Sequence, residues 1–213
     1  MESPFQDVLP GEIERHSFSI ITRELGGRAF PPGVGDVVKR VIHTTADFDY
    51  ADTLCFSPGA VEAGVAAFQS GCTLVTDTQM ALAGISKPSL QKLGCTAVCY
   101  MSDPQVAAAA RHNGTTRAVA SMDKAAALDG PAVYALGNAP TALLRLCAQM
   151  EQGLVRPALV VGVPVGFVNA AESKERLLRF DVPYIVARGR KGGSTVAAAI
   201  CNALLYRAAG RSV

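Results

Sequence analysis

Three histidines occur in the 213-residue chain. One of them, His43, stands in the stretch VIHTTADFDY (Val41–Tyr50), where a helix pattern stops. Imidazole is the side chain that gives or takes a proton near neutrality. Val34, Val37, Val38, Val41 and Ile42 recur at i, i+3, i+4, i+7 and i+8, so one helix stripe faces a core. Asp36, Lys39, Arg40 and His43 fall on the other side, and the two cations there would attract an anion. Asp47 would sit one turn ahead if the helix continued. The plainer alternative is a surface histidine favoured at a helix C-terminus by the helix dipole. A second reactive stretch is Arg188-Gly189-Arg190-Lys191-Gly192-Gly193-Ser194. Three cations in four residues open a helix there, and free N–H groups at a helix start also favour anions. Arg188, Arg190, Lys191, Gly192 and Ser194 are thus candidate anion-binding residues; a glycine-rich turn with solvated charges is the alternative.

Two hydroxyls join these candidates. Glu12–Leu25 reads as a first helix, with Ile13, Ser17, Ile20 and Ile21 in one row. Ser17 then points with the apolar residues, either into a pocket or back to the preceding turn. His16 would face another side. Thr76 closes the first of five apolar runs, at Thr73–Thr76, Thr96–Tyr100, Ala132–Leu136, Ala158–Val163 and Tyr184–Ala187. These runs are short, continuous and aliphatic, like strands covered on both faces. Helical stretches separate them: Thr78–Gly84, Pro104–Arg111 with Asp103 as cap, Pro140–Glu151, Ala170–Arg179 with Asn169 and Glu172 as a capping box, and Gly192–Ala209. Ser57 reads as the cap of a helix running to Gln69.

Alternation of this kind predicts parallel pairing with right-handed crossovers. The expected fold is a three-layer α/β/α sandwich of flavodoxin type. Its five-stranded parallel sheet would have order 2-1-3-4-5. One domain, 1–213, is expected, with 1–57 as an N-terminal helical addition and 58–213 as the α/β core. Ligands of such sheets lie beyond the C-terminal strand ends. Thr76, Gly137, Pro164 and Arg188 follow or close four of those ends, and the small residues among them would keep the edge open.

Composition narrows the chemistry. A formal charge of +2, with no Trp and no basic run interleaved with aromatics, argues against a general nucleic-acid binder. Uncharged stretches fall short of a membrane span. Glu2 and Asp7 begin the chain without a basic and apolar leader, so a cytoplasmic location is expected. The six cysteines form no CxxC and read as small buried hydrophobes; no metal-ligand spacing is present. RGRKGGS is not a P-loop, and no GxGxxG follows the first strand. The expectation is an acid–base histidine facing a ligand with several negative charges, with neither metal nor cofactor.

The same stretches carry a resemblance. VIHTTADFDYADTLCFSPGAVEAG (Val41–Gly64), TDTQMALAGI (Thr76–Ile85), GNAPTALLRL (Gly137–Leu146), PALVVGVPVGFVNAAESKERL (Pro157–Leu177) and PYIVARGRKGGSTVAAAICNAL (Pro183–Leu204) closely resemble the precorrin-8X methylmutase family, as does IERHSFSII (Ile13–Ile21). The resemblance implies an isomerase of cobalamin biosynthesis that moves a methyl group from C-11 to C-12 of the corrin macrocycle. It implies a tetrapyrrole ligand, no cofactor and a homodimer. It also implies that His43 is the catalytic histidine and Ser17 a substrate contact. A flavodoxin-like nucleotide-binding module and a tetrapyrrole carrier are the alternatives.

Overall fold

A computed structural model describes residue 9 and residues 12–211. The leader reading of Glu2 and Asp7 lies outside the described residues. From the N-terminal side the chain forms helices α1 (Ile13–Glu24), α2 (Val34–Thr45) and α3 (Tyr50–Thr53), then strand β1 (Leu54–Phe56) and helix α4 (Ala60–Gln69). β2 (Thr73–Thr76), α5 (Gln79–Gly84), α6 (Lys87–Lys92), β3 (Thr96–Val98), α7 (Pro104–His112) and α8 (Arg117–Ala125) follow. The remainder is β4 (Ala132–Leu136), α9 (Pro140–Glu151), β5 (Leu159–Gly162), α10 (Ala170–Leu177), β6 (Tyr184–Ala187) and α11 (Ser194–Ala208).

The six strands make one mixed sheet in the order β1-β6-β5-β4-β2-β3. This corrects the expected five-stranded parallel sheet. β2 to β6 pair in parallel, but β1 adds antiparallel to β6, with Leu54 opposite Ala187 and Phe56 opposite Ile185. Leu54–Phe56 had been assigned to a helical addition. Three residues are too few to show a strand period, and only the pairing partner defines them. The pairing places the chain before β1 beside the chain after β6: Arg188 N donates to Thr53 O at 2.9 Å.

Side-chain alternation divides two cores. Leu74, Val133, Ala135, Leu159, Val161, Ile185 and Ala187 enter the core under α2, α4 and α11. Val75, Tyr134, Leu136, Val160 and Val186 enter the other, with Met122 of α8, Leu143 and Leu146 of α9 and Leu177 of α10. Successive residues point to opposite faces, and both faces are apolar because both are covered. α11 is buried along most of its length and packs against α2, α4 and α5. Small residues allow that approach. A Cβ on Gly64 would lie 2.8 Å from Leu204 Cδ1, and one on Gly84 would lie 3.0 Å from Ala198 Cβ.

Several local expectations change. Asp103 caps α7, accepting from Gln105 N at 2.8 Å, and Thr78 caps α5, accepting from Ala81 N at 3.0 Å. Ser57 does not cap α4; its Oγ accepts from Tyr184 N at 2.9 Å and ties β1 to β6. Asn169 forms no capping box. Its backbone is left-handed, φ 58°, and its side chain makes no cap bond, whereas capping geometry uses an extended residue. Cys55 and Cys99 are only half-buried, because Cys99 lies beyond the end of β3 and Cys55 on an edge strand.

The small residues at the strand ends do not hold the edge open. They let loops touch backbone to backbone. A Cβ on Gly137 would lie 2.6 Å from Gly193 O, and one on Gly192 would lie 2.1 Å from Val163 O. Carbonyls in closed loops cannot retreat as side-chain tips can. Gly137→Ala is therefore expected to lower the unfolding free energy by roughly 1–3 kcal/mol, the usual cost of overpacking. Urea denaturation followed by circular dichroism measures it; an unchanged midpoint would contradict the packing argument.

Candidate active site

α1 and α2 bring Ser17 and His43 together. Ser17 Oγ and His43 Nδ1 are 2.7 Å apart, across 26 residues of sequence. If Nδ1 carries a proton it donates to Ser17 Oγ, and Nε2 is left for a ligand; the neutral ring can also accept from the hydroxyl. His43 is exposed, in the last turn of α2. The helix stops at Ala46, a non-glycine residue in the left-handed region, φ 54°, whose N–H donates to Ile42 O at 2.7 Å. That turn brings Phe48 back against the helix end. A cavity of about 460 Å³ results, lined by Ser17, His43, Ile20, Ile42, Phe48 and also His16. His16 thus shares the pocket, contrary to the helix-face expectation. A second, smaller cavity of about 230 Å³ lies on the other side of His43, beside Arg40, Thr44, Thr195 and Tyr206.

A stack of rings and cations supports the histidine. Phe18 lies 5.3 Å from the imidazole, centroid to centroid, with planes 25° apart. The Arg40 guanidinium lies 4.6 Å from the Phe18 ring and 5.1 Å from the Tyr206 ring, and Arg211 covers Tyr206 at 4.3 Å. Glu14 accepts from both Arg40 and Arg211. Burial opposes charge on Glu14, but Arg40 and Arg211 together outweigh it and hold the carboxyl below its usual range. Arg40 is only 7% exposed, so the sequence-based picture of a free cation beside His43 is corrected. A helix wheel shows which face a residue takes, not whether another helix covers that face; here α11 covers it.

The strand-end edge meets this site through the α2–α3 turn. Lys191 Nζ donates to Asp47 Oδ2 and Asp49 Oδ2, both at 2.6 Å. Those bonds hold the Asp47 carboxyl low and raise the Lys191 ammonium above its usual range. Arg188 makes a two-pronged pair with Glu175, at 2.9 and 2.8 Å. Arg190 makes no ion pair among the described residues; its guanidinium lies 5.4 Å from the exposed Phe167 ring. Two of the three loop cations are thus already matched by carboxylates.

Ser194 Oγ and Thr78 Oγ1 share a hydrogen bond at 2.8 Å. Gly192 is partly buried where the loop crosses Val163. Thr76 is fully buried, and its hydroxyl donates to Thr78 O and Val98 O at 3.1 and 3.3 Å. In this position it braces the end of β2 against the chain after β3.

Two buried charges escaped the sequence reading. Asp77 accepts from the N–H groups of Gly137, Asn138 and Ala139 at 2.9, 2.7 and 2.7 Å. It satisfies the turn that leads from β4 into α9, although burial pushes its pKa up. Lys174, fully buried in α10, donates to Gly189 O and Lys191 O at 2.8 and 2.7 Å. Asp77 is the one acid in the Thr76–Met80 stretch after β2, but its partners show only in the fold. Lys174 sits in an ordinary charged helix sequence, AAESKERL, and gave no signal. No group of three His, Cys, Asp or Glu that could hold a metal ion occurs among the described residues. Nor is any helix there long and apolar enough to cross a membrane.

A histidine–serine pair beside the strand ends of an α/β sheet is the layout of a small-molecule enzyme. The family model described as precorrin-8X methylmutase matches residues 12–207. A cobalt-precorrin-8 methylmutase of Salmonella typhimurium is 50% identical over 203 residues, covering 92% of this chain and 95% of that one. A precorrin-8X methylmutase of Pseudomonas aeruginosa is 40% identical over 195 residues, covering 90% and 93%. The crystal structure of a precorrin-8X methylmutase from Thermus thermophilus matches with a TM-score of 0.86 at 44% identity, covering 94% of this chain and 97% of that one. The chain belongs to the precorrin-8X methylmutase family, whose members are isomerases.

The stack makes a stability prediction. Arg40→Ala removes a buried cation from two ring faces and from Glu14. It is expected to cost roughly 2–4 kcal/mol of unfolding free energy. Glu14→Gln should cost far less, because that carboxyl is partly solvated. Denaturant titration of both variants checks the order, and equal costs would show that Arg40 contributes nothing beyond the ion pair.

Proposed function

We propose that this protein moves the methyl group of precorrin-8X from C-11 to C-12 of the macrocycle, giving hydrogenobyrinate. The observation that carries the reading is the Ser17–His43 bond at the mouth of an apolar cavity. Protonated His43 donates from Nε2 to a ring nitrogen while its Nδ1–H is held by Ser17 Oγ. Protonation draws electron density from the conjugated ring and makes the 1,5-shift of the methyl easier. The ring then returns the proton to His43, so the product is an isomer and nothing is consumed. The protein's contribution is proton placement and a fixed ring orientation.

The ligand is a large planar ring with carboxylate side chains. Ile20, Ile42 and Phe48 suit the ring, and exposed Val165 and Phe167 extend an apolar surface beside Arg190. Arg188, Arg190 and Lys191 are the proposed carboxylate partners, with Gly192 and Ser194 shaping the loop. A cobalt-bearing substrate is the second reading. The relative named for it in Salmonella is 50% identical, against 40% for the Pseudomonas relative named for the cobalt-free one. Turnover of the two substrates side by side separates these readings. The same family likeness supports a cytoplasmic homodimer. α2 packing on α11, and β1 pairing with β6, support one domain over the whole chain.

His43→Ala should lower the single-turnover rate by roughly 10²–10⁴, the usual worth of a placed acid–base group. Product affinity should change far less, because the carboxylate contacts remain. Ser17→Ala should lower the rate by about tenfold, since one neutral hydrogen bond is lost. His112→Ala, exposed on α7, serves as the silent control. The assay is a spectral change without change of mass on adding precorrin-8X. A His43→Ala enzyme within threefold of the parent would refute the assignment and turn attention to His16 and Ser17. Among the loop cations, Arg190→Gln should weaken product binding most, because Arg190 alone has no carboxylate to release.

A further inference from the structure

Lys174 carries an amine with no exposed surface and no ion pair among the described residues. Its helix neighbours face elsewhere: Glu175 holds Arg188 and Arg176 holds Glu151. Glu172 and Arg179 line a groove between α9 and α10 with Glu175 and Arg176. α10 packs against α9 and β6. Of the charged groups on α9, Arg145 is paired with Asp123 and Glu151 with Arg176. β6 brings Tyr184, whose phenol is pushed up in pKa, chiefly by burial. A buried cation of this kind is costly unless it is well bonded. Both of its recorded bonds go to one place, the carbonyls of Gly189 and Lys191. Those residues flank Arg190. The carbonyl of Arg190 itself accepts from Gly166 N at 3.1 Å. The loop is thus gripped at three successive carbonyls, and the side chains of Arg188, Arg190 and Lys191 project from a backbone that Lys174 anchors.

We infer that Lys174 is a positioning residue: its buried ammonium fixes the 188–194 loop in the shape that receives the ligand's carboxylates and adds a positive charge behind it. The inference rests on the reading of that loop as the carboxylate site. It goes further in naming what shapes the loop and how the shape depends on pH. Burial lowers the Lys174 pKa to about 8. Its neutral form still donates, but through weaker uncharged bonds and without attraction for an anion. An anionic ligand therefore favours the protonated form, and affinity falls once the free protein has lost that proton. Arg188 and Lys191, both raised above their usual values, do not titrate in that range.

The test is the dissociation constant of hydrogenobyrinate from pH 7 to 9.5 for the parent, Lys174→Met and Arg190→Gln, with steady-state KM and kcat beside it. The parent should lose roughly tenfold in affinity across that range, the scale of one charge-assisted hydrogen bond. Lys174→Met should bind about tenfold more weakly than the parent at pH 7, with little further change to pH 9.5. Its KM should rise while kcat stays within about threefold. A parent profile that is flat to pH 9.5, or a Lys174→Met protein that keeps the parent's affinity and slope, overturns the inference. If Lys174→Met does not fold, judged by circular dichroism, the parent profile alone decides. Arg190→Gln separates the two levels. Should it bind as tightly as the parent, the loop is not the carboxylate site. Should it weaken binding while Lys174→Met does not, the loop reading stands and the role of Lys174 falls.

Discussion

α11 has to lie close against the sheet while three other helices lie close against it. Ala197, Ala198, Ala199 and Ala203 are buried on it, and Gly64 of α4 and Gly84 of α5 meet it where no Cβ would fit without displacement. Packed interiors respond to a change of one methyl group, so this spacing is narrow. α2 reaches its position by packing on α11, and α1 by packing on α2. The Ser17–His43 distance is therefore fixed at one remove by alanines and glycines that never approach a ligand. The low helix propensity of the glycines, roughly 1 kcal/mol each against alanine, is offset by the apolar contact that their absent side chains permit.

A second constraint brings the helical layer to the strand ends. β1 runs against the direction of the other strands. A parallel strand there would have carried the preceding turn to the opposite end of the sheet. Antiparallel pairing sets Asp47 and Asp49 beside Lys191, and Thr53 beside Arg188. His43, four residues before Asp47, is carried to the same edge. The histidine and the basic loop come from different layers, and a three-residue strand joins them.

What was legible in the sequence follows from how far each signal reaches. The strands β2, β4, β5 and β6 show as aliphatic runs, because a strand buried on both faces must be apolar throughout, whereas β3 is a partly exposed edge strand. α2 showed by its valine spacing, and His43 by standing off that stripe. Ser17 showed by standing on one. These are short-range signals, carried by residues within a few turns of one another. Leu54–Phe56 had no such signal, since its state depends on Ile185–Ala187, about 130 residues away. Arg40 stands off the apolar stripe and so reads as available to an anion, while its cover, Tyr206, comes from the last helix. Thr76 was read as a contact from its place at a strand end, and only the fold shows its hydroxyl turned to backbone carbonyls. The glycines of the edge were recognised as small but given the wrong purpose: close approach of loops needs the same residue as open space does.

The charges near the site then sort into two kinds by burial. Arg40, Asp77 and Lys174 are at least nine-tenths covered, and each is bonded to groups that fix other parts of the frame. Removing a partner from such a charge leaves it without solvent or counter-ion, so these bonds cannot be exchanged without disturbing the fold. Arg188, Arg190 and Lys191 are exposed. Pairs between exposed groups contribute little, so opening them costs little. A polycarboxylate arriving at the edge can replace Glu175, Asp47 or Asp49 without the protein losing stability that depends on them. The same residue types thus do opposite work on the two sides of the loop backbone. Below it, a lysine out of reach of water holds the shape. Above it, Arg188 and Lys191 keep exposed partners that, on the proposed reading, a polycarboxylate ligand would replace. A loop built only of exposed charges would bind anions without orienting them, and one built only of buried charges would have nothing to offer. On the proposed reading, orienting a large ring over His43 draws on both.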